Sequence, residues 1–277
     1  MLSELMFVQF PHPGPEHQPR GPEMGWNRDE HARKFLRATG RYIAEGELRS
    51  GSFAFWGEWE PQSRVMETFP AEDAGPRWLH DPFWERPRHR RLLQNTDPLV
   101  FGDRFLYSNC RQRRNSKLLH LAPGSIVLFG SKLRGAFVLD TVFVVGESES
   151  FKRVSARDQR YEDWVDAVVF EPLRVAPGPP DEVFRLYRGR MYDDAPDRPF
   201  SFVPCRPYEP GKATFSRPIV DLHQRWVRPN LAMGAKATVA TEAQLHSIWD
   251  AIVGQVVDTA GLALGIELEP PRERAKA

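Results

Sequence analysis

Apolar residues along this chain fall in short runs, unbroken or alternating with polar ones, separated by stretches rich in proline and glycine; that pattern predicts many short strands and few helices. Residues Leu5 to Phe10 read as a buried first strand, ended by PHPGPEHQPRGP, a loop too proline-rich for a helix or a central strand. Asn27, with Glu30 three residues on, has the form of a helix N-cap, and Phe35 and Leu36 follow before Gly40, so a helix is expected from Arg28 to Thr39. SFAFWGEWEP, ending at Pro61, suits an aromatic strand with an irregularity at Gly57. Residues 61–98, with many prolines and little periodicity, read as a long irregular insertion. The clearest strands are Phe105–Tyr107, Ser125–Phe129 and Ala136–Val145, the last two joined by a hairpin at GSKLRG.

After Gly146 the chain turns charged, then carries WVDAVVFEPLRV, and at 176–182 APGPPDE is its strongest linker-like signal. Short strands are expected at Val183–Tyr187, Phe200–Val203 and Pro218–Leu222. Thr241 and Gln244 form a capping box ahead of Leu245, Ile248, Trp249, Ile252, Val253, Val256 and Val257 at helical spacing, which predicts a long amphipathic helix, and PPRERAKA reads as a disordered tail. The expected class is α+β: a strand-rich, β-barrel-like core with flanking helices and that long C-terminal helix. Residues 1–175 would form a β-rich domain with its insertion at 61–98. Residues 176–277 would form a smaller α+β section ending in the helix, either beside that domain or part of it.

Composition narrows the class. Of 277 residues, 41% are apolar, and 18 Phe and 8 Trp give more aromatic surface than disordered chains carry. The opening residues lack the basic region of a signal peptide, and no run reaches the roughly 18–20 apolar residues of a membrane helix, so a cytoplasmic protein without a membrane partner is expected. Cys110 and Cys205 are too far apart for a CxxC motif and read as free thiols in a reducing compartment. Net charge is only +1, but it is segregated: from Arg77 to Lys117 nine Arg and one Lys face four acids, a local net of +6, leaving about −5 elsewhere. Local potential acts within a Debye length of about 10 Å, so a segregated basic segment points to a polyanion partner more strongly than net charge does.

Four sets of residues could carry chemistry. Arg86, Arg88, Arg90 and Arg91, followed by Arg111, Arg113 and Arg114, suit phosphate, and Trp78, Phe83 and Trp84 among them could stack unpaired bases. Strand alternation would put Trp56, Glu58 and Glu60 on one face, with Phe55 and Trp59 on the other, offering a carboxylate pair for acid–base work or for an exocyclic amine. His12, Glu16, His17 and His31 could approach a metal, although their spacing matches no metal signature, and neither a metal nor a cofactor is expected. Cys110 or Ser108 near His120 could act as a nucleophile, but nothing supplies an orienting base. Neither GxGxxG nor GxxxxGK[ST] occurs, which disfavours nicotinamide and P-loop chemistry.

LHLAPGSIVLFGSKLRGAFVLDTVFVV, with Pro123-Gly124-Ser125 where the family often has Gly-Asp, resembles the strand pair of the PUA-like superfamily of small β-barrels, which includes ASCH, EVE and YTH domains. The resemblance covers about residues 50–170. It implies a nucleic-acid-binding barrel with an aromatic pocket for a modified or flipped-out base, for which Trp56, Trp59, Phe105, Tyr107, Ser108 and Asn109 would be the candidates. The expected function is therefore nucleic-acid or nucleotide binding. The alternatives are a metal-dependent hydrolase or transferase acting on nucleotides or nucleic acid through His12, His17, Glu58 and Glu60, and a structural or interaction protein that assembles through the last helix.

Overall fold

In a computed structural model, residues 3–15, 33–70, 75–86, 96–108, 115–153, 160–175 and 178–274 are described. The first strands are β1 (Met6–Pro15), β2 (Lys34–Ala44), β3 (Glu47–Gly57), β4 (Ser63–Thr68), β5 (Trp78–Trp84) and β6 (Leu106–Tyr107). They are followed by β7 (Ile126–Leu133) and β8 (Ala136–Lys152). A helical segment comes next: α1 (Asp163–Val165), a π turn at Asp166–Phe170 and α2 (Glu171–Val175). The chain continues through β9 (Val183–Gly189), β10 (Val203–Pro207), β11 (Lys236–Val239), α3 (Glu242–Gly254), β12 (Ala263–Leu268) and β13 (Arg272–Glu273).

The strands form two sheets rather than the expected single barrel. One runs β11-β1-β7-β8-β9-β6; the other runs β12-β10-β3-β2-β5-β13, with β4 beside β5 and β12 also pairing with β2. Strands from either side of residue 176 share both sheets: β11 pairs with β1, and β10 and β12 with β3 and β2.

The central strands are unbroken apolar runs because both of their faces are covered. On β1 and β7, Met6, Val8, Phe10, Val127 and Phe129 enter one core, and Phe7, Ile126 and Leu128 enter a second one behind it. The same alternation explains why the helix expected over 28–39 is absent from its described part. Residues Lys34–Ala44 form β2, with Phe35 in one core and Leu36 in the other. Adjacent apolar residues fit a strand buried on both sides as well as a helix. A two-residue turn decides the matter: Glu45 and Gly46 have φ of 56° and 77°, as a type I′ hairpin requires, and β2 pairs with β3 from Lys34–Gly57 to Ala44–Glu47. Gly40 lies where β12 crosses; a Cβ there would stand 1.9 Å from the Glu267 carbonyl oxygen.

The segment 61–98 contains β4 and β5, so it is not wholly irregular. Pro82 is tolerated in β5, where it stands opposite Ser63. The charged stretch after Gly146 prolongs β8, whose first half pairs with β7 and whose second half pairs with β9. The capping box is present: Gln244 N–H donates to Thr241 Oγ1 at 3.3 Å, and Thr241 N–H to Gln244 Oε1 at 3.0 Å. Leu245, Ile248 and Ile252 are buried against the second core. That helix, continued by a π turn at Gln255–Thr259 past the last apolar position read from the sequence, Val257, is not the last element, because Gly261 (φ 62°) reverses the chain into β12. No helix among the described residues is long and apolar enough to cross a membrane.

His80 of β5 is buried, and its Nδ1 lies 3.0 Å from Ser63 Oγ. Burial, aided by the charge of Lys34, pushes its imidazole down to about 4. An unfolded histidine takes up its proton near pH 6.5, whereas the folded one refuses it, so this contribution is complete above about pH 6.5 and is lost as pH falls towards 4. The slope should approach about 1.4 kcal/mol per pH unit below pH 6. Urea unfolding at pH 6.5 and 5.0 should show a steeper loss in wild type than in His80→Gln; equal losses would rule this origin out.

Candidate functional site

Two groups of polar side chains among the described residues differ in exposure, and that separates what each can do. The first lies between the sheets. Arg33, just before β2, has Nε 3.0 Å from Asp140 Oδ2 on β8, and its Nη1 is ion-paired with Glu58, just after β3. Its Nη2 donates to the His12 carbonyl at 2.5 Å. Glu58 also meets His12 Nδ1 at 3.0 Å and accepts the Asp97 N–H at 3.1 Å. Arg217 lies over the Trp56 ring at 4.8 Å, donates to Ser131 Oγ at 3.1 Å and stands 3.4 Å from Asp140 Oδ1.

The side chains of Arg33, Glu58, Asp140 and Arg217 are at most 4% exposed. Burial by itself would raise the Glu58 carboxyl; the charges of Arg33 and His12 and the hydrogen bonds from His12 and Asp97 outweigh it and hold the group below the usual carboxylate range. The cluster is an ionic tie between sheets, and the Glu58 side chain, fully buried, is engaged by Arg33, His12 and Asp97.

The second place is open. A cavity of about 430 Å³ lies between the far end of β8, β9 and the α1–α2 segment, within the roughly 300–1,000 Å³ usual for small-ligand sites. Phe151 and Glu149 come from β8, Leu186 from β9, and Tyr161, Phe170 and Arg174 from the helical side, with Lys152 and Arg160 at the rim. Residues 149, 151 and 153 share a strand face and meet the helical segment. Phe151 packs edge-on to Phe170 at 5.5 Å and stacks on Phe184 at 5.5 Å, and Tyr161 lies 4.8 Å from Phe170. Beneath them Arg153 donates to the Leu173 carbonyl at 2.8 Å, is ion-paired with Glu182 and lies over Phe184, bracing the floor.

The cavity's polar groups form a network around Glu149 and a separate ion pair at Arg174. Tyr161 OH donates to Glu149 Oε1 at 2.7 Å and accepts from Arg188 Nη2 at 2.9 Å; Arg160 Nη2 donates to Glu149 Oε2 at 2.9 Å. Arg174 grips Asp166 with two bonds of 2.9 and 2.8 Å. Burial, then the Glu149 hydrogen bond, pushes the Tyr161 hydroxyl up to about 12, so it stays protonated and donating at neutral pH. Aromatic surface beside half-exposed guanidinium groups can hold a planar ring and an anionic group together.

The residues singled out in the sequence are dispersed. Trp56 lies in the second core with its Nε1 donating to the Phe215 carbonyl at 2.9 Å; Trp59, Phe105 and Tyr107 lie in the first core, and Trp59 Nε1 donates to the Gln62 carbonyl at 2.9 Å. Tyr107 stacks on Tyr187 at 5.8 Å. Ser108 is buried, its N–H donating to Asp97 Oδ1 at 2.9 Å. These side chains fill cores on opposite faces of β3 and do not surround one opening. Glu60 is buried, its N–H donating to Thr96 Oγ1 at 3.3 Å.

Trp84 is buried, Trp78 is half-buried, and Phe83 lies under the Arg274 guanidinium at 5.4 Å. Arg86 pairs with Asp163 at 2.9 Å. Cys205 is buried, which pushes its thiol well above the usual range and makes it inert. Glu16, His17, His31, Arg88, Arg90, Arg91, Asn109, Cys110, Arg111, Arg113 and Arg114 lie outside the described residues. Among the described residues, no group of three or more His, Cys, Asp or Glu could hold a metal ion. Sequence reasoning missed Arg33, Asp140 and Arg217, and missed the cavity. Asp140, a lone acid inside AFVLDTVFVV, was the available sign of a buried cation.

Removing one member of a buried charge cluster strands the others, at a typical cost of about 3–5 kcal/mol, whereas a half-exposed pair contributes under about 1 kcal/mol. Asp140→Ala should therefore lose several times more unfolding free energy than Arg160→Ala, measured by urea denaturation at pH 7; similar losses would mean that the interior cluster does not tie the sheets. No known family, curated protein or solved structure matches this chain.

Proposed function

We propose that this protein binds a nucleotide, free or within a nucleic acid, placing the base in the cavity of Phe151, Tyr161 and Phe170 and the phosphates against arginines. One observation carries this reading: the described chain ends flanking the first arginine-rich run are fastened to the helical segment that lines the cavity, and the chain before and after the second run meets β9 at Tyr107 and Leu119. Arg86, entering the first run, pairs with Asp163 of α1; Thr96, leaving it, donates its N–H to the Val168 carbonyl at 3.0 Å on the same helical segment. The second run leaves from β6, whose Tyr107 pairs with Tyr187 of β9, and just beyond its end Leu119 O accepts from Arg185 Nε of β9 at 3.3 Å.

Aromatic stacking contributes about 1–3 kcal/mol per base and guanidinium groups give charge-assisted phosphate contacts, so each half of the arrangement has a stated energetic role. The PUA-like resemblance over about residues 50–170 points to the same ligand class, but the base is placed in the β8–β9 cavity, because Trp56, Trp59, Phe105 and Tyr107 are spent on the cores. Metal-dependent turnover at His12 and Glu58 has less behind it, since Glu58 is buried and already engaged by Arg33 and His12.

Binding of the full chain to labelled single-stranded RNA and DNA across about 50–300 mM salt tests this. Affinity should fall steeply with salt, and each phosphate-contacting arginine removed should lower the log–log slope by about one. Arg160→Ala should lose one unit of slope, and the triple change of Arg88, Arg90 and Arg91 to Ala more than that. No binding at 50 mM salt to any strand or mononucleotide would overturn the proposal.

A further inference from the structure

We infer that the cavity selects a base with two adjacent hydrogen-bond donors on its edge, guanine among the common bases, and that Glu149 reads it. The inference rests on the nucleotide-binding reading and names the ligand class of that same site. Glu149 supplies the carboxylate of the cavity lining, with its side chain 29% exposed. Tyr161 holds Oε1 and Arg160 holds Oε2, at 2.7 and 2.9 Å, and Arg188 stands 3.7 Å from Oε1, so the carboxylate is fixed in direction before any ligand arrives. A carboxylate accepts about four hydrogen bonds, and these partners leave acceptor capacity on each oxygen.

Base chemistry does the rest. The pairing edge of guanine carries N1–H and the N2 amino group side by side, two donors that match the two oxygens of a carboxylate. Adenine offers its N6 amino group beside the N1 lone pair, and cytosine its N4 amino group beside the N3 lone pair; either lone pair would face a carboxylate oxygen. Uracil has one donor between two carbonyls. A site built around a fixed acceptor rejects a ligand that presents another acceptor, because a desolvated polar group is then left unpaired. Tyr161 serves twice, as part of the aromatic wall and as the hydroxyl that aims Glu149, and its raised pKa keeps that hydroxyl a donor at neutral pH.

The test is calorimetric titration of the full-length protein with GMP, IMP and AMP at low salt. IMP keeps N1–H and lacks the N2 amino group, so affinity should fall in the order GMP, IMP, AMP, with GMP about tenfold or more tighter than AMP. Glu149→Gln, which keeps side-chain size and can still accept from Tyr161, should bring the GMP-to-AMP ratio to within about twofold. Tyr161→Phe, which keeps the ring, should reduce the ratio as well. Equal binding of GMP and AMP by wild type overturns the inference and leaves nucleotide binding standing. Binding of none of the three, nor of nucleic acid, overturns both. A guanine preference that survives in a natively melting Glu149→Gln protein removes Glu149 from the role.

Discussion

The two sheets are joined by charge as well as by apolar packing. Arg33 reaches from the start of β2 to Asp140 on β8 and to Glu58 beyond β3, and Arg217 closes the group on Asp140 over the Trp56 ring. Taking two guanidinium groups and two carboxylates out of water costs several kcal/mol per ion, and only near-ideal mutual geometry offsets it. Such a cluster tolerates one arrangement of the sheets, whereas an apolar interface tolerates several. His12 and Glu58, which the sequence offers as catalytic groups, are consumed by this constraint.

Recognition is left to the periphery, where the second half of β8 runs past the first sheet core and pairs with β9 alone. There the helical segment Asp163–Val175 covers one face of the strand pair, and Phe170 packs edge to face on Phe151 and tilted on Tyr161 without filling the space between the layers. Charges here are half-exposed, so a ligand can reach them while Tyr161 and Arg160 hold the Glu149 carboxylate in place. Arg153 supplies the rigidity beneath, fixing the helix carbonyl of Leu173 to the strands.

The parts of the fold legible in the sequence are those set by local rules. Ser125–Phe129 and Ala136–Val145 are strands because both faces are apolar, and the helix after Thr241 begins where its capping box says. Lys34–Ala44 was illegible because Phe35 and Leu36 suit either periodicity; the Glu45–Gly46 turn and pairing with β3 settled it. Strands β4 and β5 were hidden by the prolines around them and by Pro82 within β5, which the structure holds opposite Ser63 of β4. The cavity was hidden for another reason: Glu149, Tyr161, Phe170 and Leu186 form no motif, and only the register of β8 against β9 and the docking of the helical segment bring them together.

By itself the sequence determined a strand-rich α+β chain, its central strands, the start of its last helix and the segregation of its arginines, because hydrophobic period, capping chemistry and charge depend on neighbours a few residues away. Only the tertiary structure decided which aromatic residues are core and which line a cavity, and which charges are buried ties and which are half-free. Burial is a property of the assembled layers: Trp56 and Phe151 are equally apolar on paper, and they differ because β3 is covered on both faces while β8 is left half-covered near its end.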